Sequence, residues 1–486
     1  MSPRPRIKLI TVPWELDVAT LSLASLAAVT PDAFDIAIVD TLRERLFLDE
    51  PVDLVGITAS TPTIKAAYAL ADAYRSRGVT VVIGGHHATV LPEEALQHAD
   101  AVVCGEGEGS WMRICDQFLT RRSRVRGIYR DPPPDLSMLP QPRIDLMKIQ
   151  RYEPFFFPVI ASRGCPERCS FCFAGCFGGT YRTYPIAHVL EQLRRRPASR
   201  RPYYFVDDNL PGDPEFAREL FRALARYRIP FGMQARWEFA RNPDDLDLAR
   251  RAGCVFISSG YESINQATLD NTGKQARAAE YRQVMRNLFE VGIVSSGNWV
   301  FGFDWDTQEI FRDTLEFLDD SQLLHSTFTT EIPFPGTPSF VRYAAEGRII
   351  TNDYDKYLGK YHVVFRPRLM SPEQLSTGVR RLALEYYSPR RAARRYRLAM
   401  ENPRFARPEP GGVGPLTLAM LNAFQMIQWR HQMIPALHWL YRRLITANRY
   451  RYLSDHVRKT NCSVRPYRPA EDVEPFVPNA DTVCPQ

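Results

Sequence analysis

The chain has 486 residues, 45% of them hydrophobic, 12% aromatic and 24% charged, and 62 Lys and Arg against 55 Asp and Glu leave a formal net charge of +7. Apolar content on this scale excludes disorder and fibrous repeats, and at about 100–200 residues per domain the length predicts two to four domains. The positive excess is small for this length and no nucleic-acid reading module stands in the sequence, so nucleic acid is disfavoured as a partner.

The opening residues, MSPRPRIKLITVPWELDVATLSL, pass from basic to mixed polarity without the apolar stretch and small-residue cleavage site of a secretory signal, and no later run approaches about 18 uninterrupted apolar residues. A cytoplasmic protein is expected. Residues 1–130 then alternate short β-branched runs with helical stretches. RIKLITV, FDIAIVD, VDLVGITAS, VTVVIGG and DAVVCGEGE read as strands, with TIKAAYALADAYRSRG and EEALQHA as helices between them. Such alternation predicts an α/β domain built on a doubly wound, Rossmann-like parallel sheet, which binds ligands in the crevice beyond its strand C-termini.

Clustered prolines in DPPPDLSMLPQP forbid helix and central strand alike and mark a linker over 131–150. Over 151–345 six further runs, PVIASRGC, RPYYFVDDN, RIPFGMQAR, GCVFISSGYES, GIVSSGNWVFGF and HSTFTTEIPF, are each separated by helical sequence. Six βα units predict a partial or full β/α barrel, with its chemistry at the strand C-termini. Residues 346–460 turn mainly α-helical and basic, with Arg390, Arg391, Arg394, Arg395 and Arg397 clustered. There Trp429, Trp439 and Tyr441 interleave with Arg430, Arg442 and Arg443, a pattern suited to an interfacial helix in peripheral membrane contact, although Pro435 interrupts it. The tail, 461–486, has no apolar period and is expected to be loosely held.

Four of the nine cysteines, Cys165, Cys169, Cys172 and Cys176, fall within twelve positions. In a reducing compartment such crowding predicts metal ligation before disulfides. Cys165, Cys169 and Cys172 have spacings of three and two intervening residues, in a glycine-bearing loop directly after the first barrel strand. Three thiolates from one loop can hold three irons of a [4Fe-4S] cluster and leave the fourth open. A structural zinc site would ask for a second half of Cys or His pairs, and none follows at useful spacing.

This C-x3-C-x2-C run, in this place, resembles the signature of the radical S-adenosylmethionine (radical SAM) enzymes. The resemblance implies that the open iron chelates the amino and carboxylate groups of SAM, and that reductive cleavage yields methionine and a 5′-deoxyadenosyl radical. It also implies a flavodoxin or ferredoxin as electron donor. Cys176 as a fourth ligand would close the open iron, so it is expected to be a bystander. Phe171 matches the family position whose backbone meets adenine. Asp207 in FVDDN, Gln234 and Arg236 in MQAR, and Glu262 and Ser263 in GYES match SAM-contacting positions at strand ends. An Arg offers a fork to the SAM carboxylate and a Glu accepts from both ribose hydroxyls.

GITASTPT, VVIGGHHAT and VVCGEGE resemble the cobalamin-binding domain that precedes the barrel in one large radical SAM subclass. The expected cobalamin contacts are Ser60, Thr61, Gly84, Gly85, Thr89, Gly105 and Glu106, with the glycines admitting close backbone approach. The better-known cobalamin motif, D-x-H-x-x-G, reads here Asp40-Thr41-Leu42. Base-off cobalamin without a histidine ligand is therefore implied, with His86 and His87 as loop polar groups. No G-x-G-x-x-G or Walker-type loop supports a generic nucleotide site.

FGFDWDT, EIPFPGTPSF and HVVFRPRLMSPEQL resemble the C-terminal extension of cobalamin-type radical SAM proteins that include hopanoid methylases. Together these resemblances imply a cobalamin-dependent C-methyltransferase acting on an unactivated carbon of a small-molecule or lipid substrate. Two alternatives stand beside it. One is a radical SAM enzyme with a vestigial first domain that catalyses alkyl transfer, cyclisation or rearrangement; the other is a non-catalytic corrinoid or iron-sulfur sensor.

Overall fold

The computed structural model describes residues 4–12, 21–41, 44–121, 125–148, 156–177, 180–195, 202–227, 229–359, 362–408 and 412–430. The first sheet comprises β1 (Arg6–Val12), β2 (Asp35–Asp40), β3 (Leu54–Ala59), β4 (Thr80–Gly84), β5 (Ala101–Val103) and β6 (Gly127–Tyr129). These pair in the order β2-β1-β3-β4-β5-β6, all parallel. The strands are apolar on both faces because both are covered. Leu9, Val82 and Val103 pack with Trp111 and Phe118 on one side, and Ile10, Val55 and Ile83 with Ala67 and Tyr74 on the other. This is the expected doubly wound sheet. β6 lies outside the expected strands, since three residues show no period.

The second sheet comprises β7 (Phe157–Val159), then β10 (Tyr203–Phe205), β11 (Phe231–Gln234), β12 (Cys254–Glu262), β13 (Val294–Phe301) and β14 (His325–Thr330). Between β7 and β10 lies a small antiparallel ribbon of β8 (Ser162–Arg163) and β9 (Arg182–Thr183). The parallel order β14-β13-β12-β11-β10-β7 is sequential, as five one-way crossovers through helices demand, and it makes the expected partial barrel. The crossover helices announce themselves in the sequence. Asp213, Asn242 and Thr337 each precede a proline and accept a backbone N–H of the first turn of helices Pro214–Leu224, Pro243–Ala252 and Pro338–Ala345.

The open edge at β14 is covered by helix Pro372–Tyr386, whose Leu375, Val379, Leu382 and Tyr386 enter the barrel's own core. An edge left bare would offer its unpaired backbone groups to another chain. Helices Pro389–Glu401 and Pro415–Arg430 follow. Arg395, from the basic cluster, is buried over the Tyr386 ring at 3.8 Å and donates to the Tyr386 carbonyl and to Asn422 Oδ1, each at 2.8 Å. Trp429 is 5% exposed and belongs to the barrel core. The indole is used for packing, the core role expected of a tryptophan taken alone. Pro435, Trp439, Tyr441, Arg442, Arg443 and the tail 461–486 lie outside the described residues, as do Leu42 and the side chains of Cys176 and Arg430. Among the described residues no helix is long and apolar enough to cross a membrane.

One turn brings the halves of the chain together, and another shapes the rim of the first domain. Gly336, in the PFPGTP turn, has φ +89° and lies so close to Val90 of the first domain that a Cβ would stand 2.5 Å from its side chain. Gly85, directly after β4, has φ 103° and ψ −175°, a region that essentially only glycine occupies. A Cβ there would stand 2.5 Å from the Ala59 carbonyl oxygen. Gly85→Ala should therefore lower unfolding stability by about 1–3 kcal/mol, read as a shift in urea midpoint at unchanged slope.

Candidate active site between the two sheets

The loop leaving β7 carries Cys165, Cys169 and Cys172, and its departure is fixed by Asp207 at the end of β10. The Asp207 carboxylate accepts the Ala161 N–H at 3.1 Å, the Ser162 N–H, and the Ser162 hydroxyl at 2.5 Å. It is 1% exposed, and burial pushes its pKa up to about 7 against those hydrogen bonds. Asp207 is thus the clasp of the cysteine loop, and it lines the cavity described below. Its neighbour Asp208 lines the cavity too.

Further along, the Cys172 N–H donates to the Cys169 carbonyl at 3.0 Å. Ser170 is tied to the Thr272 carbonyl and to the Ser339 N–H, each at 2.9 Å. None of the three cysteines is disulfide-bonded, and all are half-buried. Burial raises each thiol pKa, that of Cys172 to about 12, with the neighbouring cysteines adding to the rise. Thiolates that repel one another in a low-dielectric pocket suit a cationic group between them. No three His, Cys, Asp or Glu side chains among the described residues converge on a single-ion position. Three thiols carried on one loop fit the ligand set of an iron-sulfur cluster.

Around this loop stand two cations. Arg236 pairs with Glu167 of the cysteine loop at 3.2 Å and Glu238 at 2.5 Å, and donates to the Lys274 carbonyl at 2.7 Å. Lys274 is buried and pairs with Glu262 at 2.7 Å, near enough to Cys169 to favour its thiolate. Glu262 has φ 61° at a bulge in the β12/β13 ladder, and a Cβ on Gly260 would stand 2.0 Å from its carboxylate oxygen. Lys274 was invisible to sequence reasoning because it lies in a turn after helix Gln266–Asn271, without periodicity or motif. Gln234 ends β11, half-buried. Ser263 is buried and accepts the Asn265 N–H at 3.1 Å, while the Phe171 ring lies 5.5 Å from Phe303.

In the first domain, the hydroxyls expected to meet cobalamin shape loops. Ser60 packs with Thr63 in a capping box, Thr61 Oγ1 lies 3.2 Å from His87 Nδ1, and Thr89 donates to the Gly85 carbonyl and accepts the Gly105 N–H. Gly84, Gly85 and Gly105 form the rim. Glu106 is buried beside Arg163 at 2.7 Å and Arg182, on the cavity wall. His87 is held between Thr61 and Glu94. His86 faces the space between the domains, 4.7 Å from the Phe173 ring.

A cavity of about 660 Å3 joins these parts. It runs from the glycine rim past His86 to Cys172 and Asp208, with largely apolar walls. A glycine-edged apolar cleft beyond parallel strands fits a large planar cofactor in the first domain, opening on the cysteine loop.

Residues 7–114 match the B12 binding domain family, and residues 159–318 match the radical SAM superfamily. The bacteriochlorophyllide d C-12(1)-methyltransferase of Chlorobaculum tepidum is 30% identical over 384 residues, 76% of this chain and 82% of that protein. The hopanoid C-2 methylase of Rhodopseudomonas palustris is 27% identical over 290 residues, 56% of this chain and 54% of that protein. The solved structure of the cobalamin-dependent SAM radical enzyme OxsB has a TM-score of 0.63 at 14% identity, covering 94% of this chain and 75% of that one, a likeness of fold. With the cysteine loop, the glycine rim and the cavity joining them, these relationships mean that the chain belongs to the cobalamin-binding radical SAM enzymes, whose cofactors are a [4Fe-4S] cluster, SAM and cobalamin.

Proposed function

We propose that the chain transfers a methyl group from SAM to an unactivated carbon of a polycyclic small molecule or lipid. The observation that carries this reading is the single cavity that reaches both the glycine rim of the first domain and Cys172 of the barrel. When bound, the cluster supplies the electron that cleaves SAM to methionine and a 5′-deoxyadenosyl radical, and cobalamin carries the methyl group.

The chain's own residues hold and orient. Cys165, Cys169 and Cys172 ligate the cluster. Gln234, Arg236 and Glu262, at the ends of β11 and β12, offer an amide, a guanidinium and a carboxylate, the donor and acceptor set a zwitterionic amino acid and a ribose require. The Phe171 backbone and Ser263 complete that set, and Lys274 adds a cation the sequence did not disclose. Gly84, Gly85 and Gly105 admit the corrin, and apolar walls keep water from radical intermediates. Electrons arrive from a flavodoxin or ferredoxin. Bacteriochlorophyllide and hopanoid, on which two relatives act by name, are both polycyclic skeletons, and that chemistry is the first to try as substrate.

Each of Cys165→Ala, Cys169→Ala and Cys172→Ala should reduce iron from about four per chain to below one and abolish SAM cleavage, while Cys176→Ala keeps both. Full SAM cleavage by Cys169→Ala would overturn the ligand assignment. The cob(II)alamin form should show cobalt lines without nitrogen superhyperfine splitting in electron paramagnetic resonance. A nitrogen splitting would contradict this and implicate His86, the imidazole facing the cavity. Each productive turnover should consume two SAM and release one S-adenosylhomocysteine and one 5′-deoxyadenosine. Turnover giving only 5′-deoxyadenosine and no methyl mass gain would point to cyclisation or rearrangement.

A further inference from the structure

The two glutamates of the GEGE loop reach across the domain boundary to the residue that opens the cysteine loop. Arg163 donates from Nη1 to Glu106 and from Nη2 to Glu108, each at 2.7 Å. The other oxygen of Glu106 takes Arg182, the ladder partner of Arg163 in the β8/β9 ribbon, which also donates to the Pro134 carbonyl at 2.8 Å. Both glutamate side chains are 5% exposed and that of Arg163 is 14% exposed. Burial opposes the Arg163 charge, and Glu108, Tyr184 and Glu106 together outweigh it. The network is neutral, two guanidinium groups against two carboxylates, and charges so enclosed tolerate no unpaired member.

Its position gives it leverage on both cofactor sites. Glu106 and Glu108 flank Gly107 on the cavity wall. Arg163 follows Ser162, held by Asp207, and precedes Gly164 at φ 79° and then Cys165. Movement of either loop alone breaks charge-assisted bonds in a dry interior. Forked guanidinium geometry fixes the relative positions of the groups it bridges.

We propose that Arg163 is a positioning residue which, gripped by Glu106 and Glu108, makes the cobalamin rim and the cluster loop one cooperative unit, so that filling either site favours filling the other. The inference rests on the cobalamin and cluster reading given above. Coupling of this kind is reciprocal between the two sites.

The test is a hydroxocobalamin titration of the full chain, followed by absorbance, with and without reconstituted cluster. The cluster-loaded wild type should bind hydroxocobalamin about fivefold or more tighter than the cluster-free protein. In Arg163→Gln that ratio should fall to about one. Should that variant fail to fold, the double variant Arg163→Gln with Glu108→Gln serves, because Glu106 keeps Arg182 and no carboxylate is left bare. It should keep its iron content and melting midpoint while losing the ratio, which a merely structural role would not do. A wild-type ratio of one, or a double variant with the wild-type ratio, overturns the latch alone. No hydroxocobalamin binding by the wild type in either state overturns the cobalamin reading, and the latch with it.

Discussion

Everything in this site hangs on one buried carboxylate. Asp207 accepts two consecutive backbone N–H groups, those of Ala161 and Ser162, where the chain leaves β7. Chain leaving a parallel strand has lost its ladder partners, and its N–H groups need acceptors if they are buried. Asp207 supplies them from the adjacent strand β10 and so sets the direction in which Arg163, Gly164 and Cys165 depart. One residue later the chain meets the first domain through Arg163; two residues after that it reaches the first cysteine. An Asn in this place has one acceptor oxygen and an N–H2 group that would face other donors. The carboxylate therefore remains although no cation accompanies it and burial pushes its pKa up to about 7.

From that clasp the relation between the two sheets follows. Parallel sheets covered by helices expose chemistry only beyond their strand C-termini. Two such sheets cooperate on one ligand set only if those ends face each other. Here the glycine rim after β4 and β5 faces the loops after β7 and β10 across one cavity. Gly336 against Val90 and Lys65 paired with Asp353 hold the far side, and Arg163 with Glu106 and Glu108 the near side. Apolar contact alone would permit sliding; forked ion pairs at one end and a backbone turn at the other do not.

The sequence disclosed the architecture because architecture is written in local terms. Apolar runs of strand length, cap-plus-proline pairs such as Asp213-Pro214 and Asn242-Pro243, and three cysteines in eight residues are each legible without distant partners. β6 escaped because three residues carry no period. Site detail escaped for another reason: a polar residue at a strand end can meet a ligand or a neighbouring chain segment, and only the fold decides. Asp207 and Ser263 accept backbone N–H groups and Glu106 takes two arginines, contacts that no local pattern shows. Lys274 entered the site from a turn that local pattern leaves blank. Trp429 looked interfacial beside arginines and is core.

The charged groups around the cysteines share one more property. Arg236 comes with Glu167 and Glu238, Lys274 with Glu262, and Arg163 with Glu106 and Glu108, so each of these three cations arrives already paired. Paired dipoles held in fixed geometry respond little to a change of charge nearby, which suits a centre that must gain and lose an electron without rearranging its surroundings. They also leave the thiols largely uncompensated, so burial dominates and all three pKa values rise. The free loop therefore holds protons that ligation must displace, and the affinity that holds the metal is reduced by the work of removing them. The loop is built to be completed by a cationic cluster: its partners orient the site, and the cluster itself supplies the positive charge that makes three adjacent thiolates tolerable.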